Sequence, residues 1–435
     1  MQLRDSLGNQ YSGANSASID HFEHGVRLLQ CYIGDPVATA DAALAEAPEM
    51  IMAHALRAWL LLLSTEAPAL AVVRASWETA SKLPANDRER GHLAAIQHLL
   101  DGRWREAART LEDVSITHPR DVLALIAGHQ LDFFTGQSRM LRDRIARALP
   151  AWHERLPGYH SLLGMHAFGL EECADYTRAE AAGRRAVELE ARDGWAQHAV
   201  AHVFEMSGRK REGIAWMRAN PEAWSRDSFF AVHNWWHLAV FHLDLGEIDA
   251  VLGLYDSAVY GKRSGIVLEM IDAAALLWRL ELRGIDVGDR WVALADGWEP
   301  HAGAGNYTFN DVHAALAFLR ADRRPALASL LDAQEVAMAR ADDNAEFTRQ
   351  VGSPVTRALI DFQQGNYIQA AQRLRLVRNG AALFGGSHAQ RDLLDLTLLE
   401  AARRGGDDRL CAALAAERLA ARPSSPWTLR MAAAA

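Results

Sequence analysis

Gly102-Arg103-Trp104-Arg105-Glu106-Ala107-Ala108 matches Gly365-Asn366-Tyr367-Ile368-Gln369-Ala370-Ala371 in spacing, and this pairing decides the fold. Glycine at a C′ position ends one helix. The aromatic two residues later packs between helices, and the paired alanines let helices approach closely. This is the turn of a tetratricopeptide-type helix pair. Gly136, Gly208, Gly246 and Gly284 mark further helix ends. Pro48, Pro84, Pro119 and Pro157 recur at spacings of 36, 35 and 38, each just before an apolar-periodic run. Proline is tolerated in a helix's first turn and breaks its interior, so these mark helix starts. Asp193 continues the series as an N-cap. Strand-like alternation is nearly absent. The expectation is an all-α chain of tetratricopeptide-like helical-hairpin repeats, roughly ten of them, forming one α-solenoid superhelix over residues 1–435. Within it, 1–47 form N-terminal helices, 48–422 degenerate repeats, and 423–435 a frayed tail.

A histidine ladder runs with this punctuation. His54, His92, His129, His166, His202 and His237 are separated by 38, 37, 37, 36 and 35 residues. The next step of 35 lands on Asp272, and 41 further on lies His313. Stacked repeats would align these ionisable groups along one surface, which a packed core does not require.

Composition bounds the setting. Half of the 435 residues are hydrophobic, and the net charge of −9 has both signs interspersed. Nucleic acid would select a basic stripe, and none is visible, so nucleic acid is not an expected partner. No apolar run reaches the roughly 18 residues of a membrane span, so no membrane association is expected. Met1-Gln2-Leu3-Arg4-Asp5 lacks the basic-then-apolar pattern of a signal peptide. Cys31, Cys173 and Cys411 are scattered, which fits a reduced cytoplasm and disfavours a thiolate zinc site. A cytoplasmic location is expected.

The densest polar group lies between Trp195 and Asp244. His198, His202 and Glu205 fall at i, i+4 and i+7, on one helix face. One repeat later His233 and His237 repeat the pair, so two His-x-x-x-His pairs stand in register. Asp272 and Arg279 are seven apart on the next helix, as are Tyr159 and His166 on the preceding one. The equivalents of His198 and His233 in the flanking repeats are Leu162 and Leu268, so the second histidine rung is local. Imidazoles one helical turn apart can converge on a divalent transition metal, with His198, His202, His233 and His237 as candidates. The glutamate of the HExxH pattern is missing. Histidine beside carboxylate can instead work as a general acid or base. It can also hydrogen-bond a small molecule or peptide, or simply satisfy itself between buried helices.

Eight of the 13 tryptophans lie between 195 and 298. Most read as core, but Trp236 shares the His233/His237 face and could wall a pocket. Glu171 and Glu172 end the His166 helix and face away from it; helix-terminal carboxylates are usually solvated, though one could reach a neighbouring helix. Asn310 or Asp311 could cap the helix bearing His313. Ser387 is a natural N-cap for a late helix, where free N–H groups beside His388 and Arg391 could take an anion.

The strings Gly164-Met165-His166-Ala167-Phe168-Gly169-Leu170-Glu171-Glu172 and Trp195-Ala196-Gln197-His198-Ala199-Val200-Ala201-His202-Val203-Phe204-Glu205-Met206 resemble the tetratricopeptide repeat protein 38 family. So do His233-Asn234-Trp235-Trp236-His237-Leu238, Asp272 with Leu277-Trp278-Arg279-Leu280-Glu281, and the stretch Gly386–Asp392. The resemblance is strongest from about 158 to 392. It implies an all-helical superhelix and assigns no biochemical activity.

The leading reading is a small-ligand- or peptide-binding protein with a pocket on the concave face of its middle repeats. Tyr159, His166, His198, His233, Trp236, Arg279, His313, His388 and Arg391 would line it. The alternative is an enzyme, hydrolytic or acid–base, using the same cluster. There His202 or His237 would be the acid or base, and Glu205 or Asp272 would orient it.

Overall fold

A computed structural model describes residues 3–422 and 425–434. Among them helices alternate with short turns and no strand forms; only isolated bridges pair Arg4 with Gln10 and Ile33 with Ser228. The chain is a tetratricopeptide-like repeat protein, built of antiparallel helical hairpins.

The sequence punctuation sits where the physics requires it. Helices Ile51–Leu62, Asp87–Leu100, Val122–Phe134 and Tyr159–Glu172 begin just after the recurring prolines. Asp193 Oδ1 accepts from the Ala196 amide at 2.8 Å, capping helix Gly194–Met206. Gly102 and Gly365 have φ of 75° and 80°, the left-handed conformation that a side chain disfavours. The helices after them, Trp104–Thr117 and Tyr367–Val377, start at the aromatic, and Ala107 and Ala370 are wholly buried.

Contacts divide the chain into two compact units. The first comprises residues 1–200 and 220–231, and holds the hairpins from Ser16–Cys31 to Tyr176–Leu189. The second comprises residues 201–219 and 232–435. Its helices include Val267–Leu282, Thr308–Arg320, Ser353–Gln363, His388–Arg404 and Asp408–Ala421. Successive helices of this unit pack on one another, and Val267–Leu282 also packs on the distant His388–Arg404. Trp278 Nε1 donates to Thr397 Oγ1 at 2.8 Å across that junction. Most tryptophans of the 195–298 stretch are core, including Trp224, Trp278, Trp291 and Trp298. Pro426–Ala434 forms a helix where a frayed tail was expected.

The ladder does not form one polar surface. His92 and His129 are wholly buried in the first unit. Trp59 Nε1 donates to His92 Nδ1 at 3.0 Å, and His92 Nε2 lies 2.9 Å from Asp121, which also binds Arg88 at 3.0 Å. His129 packs edge-on against Phe168 and Trp195, and burial lowers its pKa to about 3, so it is neutral. These rungs fill inter-helix space. His54 and His166 are only half-buried, so both burial and chemistry differ from rung to rung.

Candidate functional site

The second unit gathers three imidazoles. Helix Gly194–Met206 supplies His202 and Glu205, helix Ala231–Leu245 supplies His233, Trp236 and His237, and helix Val267–Leu282 supplies Asp272 and Arg279. One ring nitrogen from each of His202, His233 and His237 lies within 4.8 Å of the others. His202 and His237 pack edge-on with centroids 4.5 Å apart, and His233 and His237 are nearly perpendicular at 4.9 Å.

Carboxylates hold two of these rings from behind. His233 Nδ1 lies 2.9 Å from both oxygens of Asp272. His237 Nδ1 lies 3.2 Å from Glu205 Oε2. A carboxylate only accepts, so each Nδ1 carries the proton and each Nε2 presents a lone pair. Burial pushes the pKa of His202 well down, and the neighbouring His237 adds to this. Burial does the same for His237, with His233 and Arg279 reinforcing it. Both rings are therefore neutral at pH 7, the form that binds metals or accepts hydrogen bonds.

The surroundings are charged and ordered. Trp236 is wholly buried and stacks on His233 at 5.4 Å, so it backs the imidazoles. The Arg279 guanidinium lies over the Trp236 ring, 5.2 Å from its centroid. Arg279 Nη1 donates to Ala275 O at 3.1 Å and Nη2 to Ala389 O at 2.6 Å. Burial lowers its pKa to about 10, which still leaves it protonated. Arg422 lies 3.8 Å from Glu205 Oε1 and 3.2 Å from Asp392 Oδ2. Arg418 Nη2 donates to the same Asp392 oxygen at 2.8 Å. Burial pushes the Asp392 carboxyl up, but Arg418 and Arg422 more than offset this and hold it well below the usual range.

A cleft of about 370 Å³ opens beside this network, lined by Met206, His388, Arg391, Asp392, Arg418 and Arg422 among others. His388 opens helix His388–Arg404, and Arg391 Nη2 approaches its Nδ1 at 3.3 Å. Ser387 caps that helix, exchanging hydrogen bonds with Gln390.

His198 belongs to the first unit, among Phe168, Trp195 and Phe230 at centroid distances of 5.3, 5.1 and 5.2 Å. Tyr159 and His166 also lie in the first unit, on helix Tyr159–Glu172. Burial lowers the pKa of His166. Glu171 and Glu172 are buried, contrary to the solvated placement expected of them. His313 is buried in the second unit, with Nδ1 2.8 Å from Phe309 O and its pKa lowered by burial to about 4. Neither Asn310 nor Asp311 caps its helix. Thr308–Arg320 starts earlier than the sequence reading placed it, and Asn344 Oδ1 accepts from the Thr308 amide at 2.9 Å. Sequence reasoning missed the network of Asp392, Arg418 and Arg422 that reaches Glu205. The i, i+4 arginine pair on one helix face was the available signal.

The repeat architecture defines the class. The human IFIT1 dimer with m7Gppp-AAAA aligns at 13% identity over 97% of this chain and 94% of that one, with a TM-score of 0.42. A monomeric IFIT1 mutant with Gppp-AAAA aligns at 13% identity over 96% and 95%, with a TM-score of 0.41. The P58(IPK) TPR domain aligns at 15% identity over 90% and 98%, with a TM-score of 0.20. No family model matches the sequence. No helix of the described residues is long and apolar enough to cross a membrane.

Proposed function

We propose that the second unit is a ligand-binding centre built on a divalent transition metal held by His202, His233 and His237. The observation that carries this is the pair of carboxylate–imidazole contacts, Asp272 to His233 and Glu205 to His237. Such partners fix the tautomer and aim of metal-binding histidines. Charge balance supports the same reading. Asp272 is buried, yet its only ion-pair partner within 4.0 Å among the described residues is the His233 imidazole. A buried carboxylate needs compensation, and a cation on the far side of that ring supplies it.

Were these three imidazoles the only protein ligands, a fourth position would stay open for a small molecule, the arrangement of catalytic rather than structural zinc. Zinc bonds of about 2.0–2.1 Å place tetrahedral ligand nitrogens roughly 3.4 Å apart, so the imidazoles would draw together slightly on binding. The open position also favours a second reading, a metal-dependent hydrolytic enzyme, because a bound metal makes hydroxide available at neutral pH. His202, Glu205, His233, His237, Asp272 and Arg279 all fall within the strings resembling the tetratricopeptide repeat protein 38 family. We therefore extend the proposal to membership of that family and to a cytoplasmic setting.

Cobalt(II) titration of the metal-stripped protein tests the centre. Visible ligand-field bands that saturate and then disappear with zinc are expected. Absence of such bands, with cobalt remaining in its aqueous spectrum, would contradict it.

A further inference from the structure

Four arginines are buried among the described residues: Arg88, Arg144, Arg279 and Arg422. Three are neutralised by aspartates, of which Asp121 and Asp132 are buried. Arg88 binds Asp121, Arg144 binds Asp132 at 2.7 Å, and Arg422 binds Asp392. The buried Lys210 follows the same rule, pairing with Asp244 at 2.9 Å. Arg279 departs from it. Its polar partners are two backbone carbonyls and the face of Trp236, and no carboxylate lies within 4.0 Å. Two of its five N–H groups are committed to those carbonyls. Asp392 and Glu205 offset its charge only from beyond 4.0 Å. A buried charge without a directly paired opposite charge costs several kcal/mol, and an anion brought into contact with the guanidinium would supply that pairing.

We propose that Arg279 binds an oxyanion, the carboxylate or phosphoryl group of the small molecule that this centre takes. The inference rests on the reading that the imidazole cluster is a ligand site, and it names the class of ligand. Guanidinium matches both carboxylate and phosphate through paired N–H donors. The position is apt. Arg279 lies over the Trp236 ring, which itself packs against His233 at 5.4 Å and His237 at 4.9 Å between centroids. It is anchored to Ala389 in the first turn of helix His388–Arg404, whose His388 and Arg391 line the cleft. An anion held there would sit between a fixed cation and the imidazole nitrogens, with its remainder directed toward the cleft.

The test is thermal unfolding and isothermal titration of the full chain with inorganic phosphate and, separately, with succinate, with and without EDTA. Wild type, Arg279→Met and Arg279→Lys are compared. Stabilisation of wild type by one of the two anions is expected; phosphate would indicate a phosphoryl ligand and succinate a carboxylate. Arg279→Met should lose the response, and Arg279→Lys should weaken anion affinity roughly tenfold to a hundredfold. If Arg279→Met does not fold, the Arg279→Lys titration decides alone. Wild type indifferent to both anions, or variants responding as wild type does, would overturn the proposal. An anion response that survives EDTA in a protein without metal would sink the metal reading and keep this one. Metal binding without an anion response would do the reverse.

Discussion

The Nδ1 of His237 lies 3.2 Å from a carboxylate oxygen of Glu205 on another helix, and both side chains are withdrawn from solvent. A ring held in this way has one orientation and one tautomer. Glu205→Gln keeps the shape and loses the charge, as does Asp272→Asn for His233. Each is expected to weaken metal affinity by about 10- to 100-fold while the fold survives. Competition against a chromophoric chelator measures this; unchanged affinity in both variants would remove the carboxylates from the account.

His92 provides the contrast. It belongs to the same ladder but holds Trp59 and Asp121 together inside the first unit. His92→Phe fills the space and strands both partners, which should cost about 2–4 kcal/mol. Urea unfolding reads the loss, and metal content should stay at the wild-type level. A stable His92→Phe protein that lost its metal would mean the ladder works as a whole.

Asp311 gives a pH signature. Its Oδ2 is buried without a hydrogen-bond partner, and burial pushes the carboxyl up to about 7, with Arg340 partly opposing. The unfolded chain ionises this group near 4. The folded state therefore binds the proton more tightly, and stability falls as pH rises from about 4 to about 7, then levels. Asp311→Asn removes that dependence. Its gain over wild type should be larger at about pH 8 than at about pH 5, by ~1.4 kcal/mol for each tenfold difference in proton affinity. An equal gain at both would show that the folded carboxyl titrates like an unfolded one.

Gly365 tests the punctuation. At φ 80° with open space around its α-carbon, Gly365→Ala meets only backbone strain. A loss of about 1 kcal/mol is expected from chemical denaturation. A neutral result would mean that the turn relaxes.

The helical hairpins were legible because proline, glycine and N-cap residues act locally, within a few positions of Pro48, Gly102 or Asp193. The His202, His233, His237, Glu205 and Asp272 group was legible for a similar reason: helical periodicity and the repeat length place these residues on facing turns. Other parts depended on packing that spacing does not encode. His92 and His202 share a ladder position, yet one is sealed by Trp59 and Asp121 while the other meets two imidazoles. Arg422 comes beside Glu205, more than two hundred residues away in the chain, and bridges it to Asp392. That no carboxylate lies within 4.0 Å of Arg279 is likewise a fact of three dimensions.

The central claim is a metal held by three imidazoles, and elemental analysis of the chain purified without a polyhistidine tag tests it most directly. The account predicts about one transition-metal ion per chain in wild type, as purified or after reconstitution with zinc. It predicts loss of that metal in a folded His202→Ala/His237→Ala variant. A wild-type protein that takes up no metal on reconstitution, or a double variant that holds as much as wild type, would contradict it.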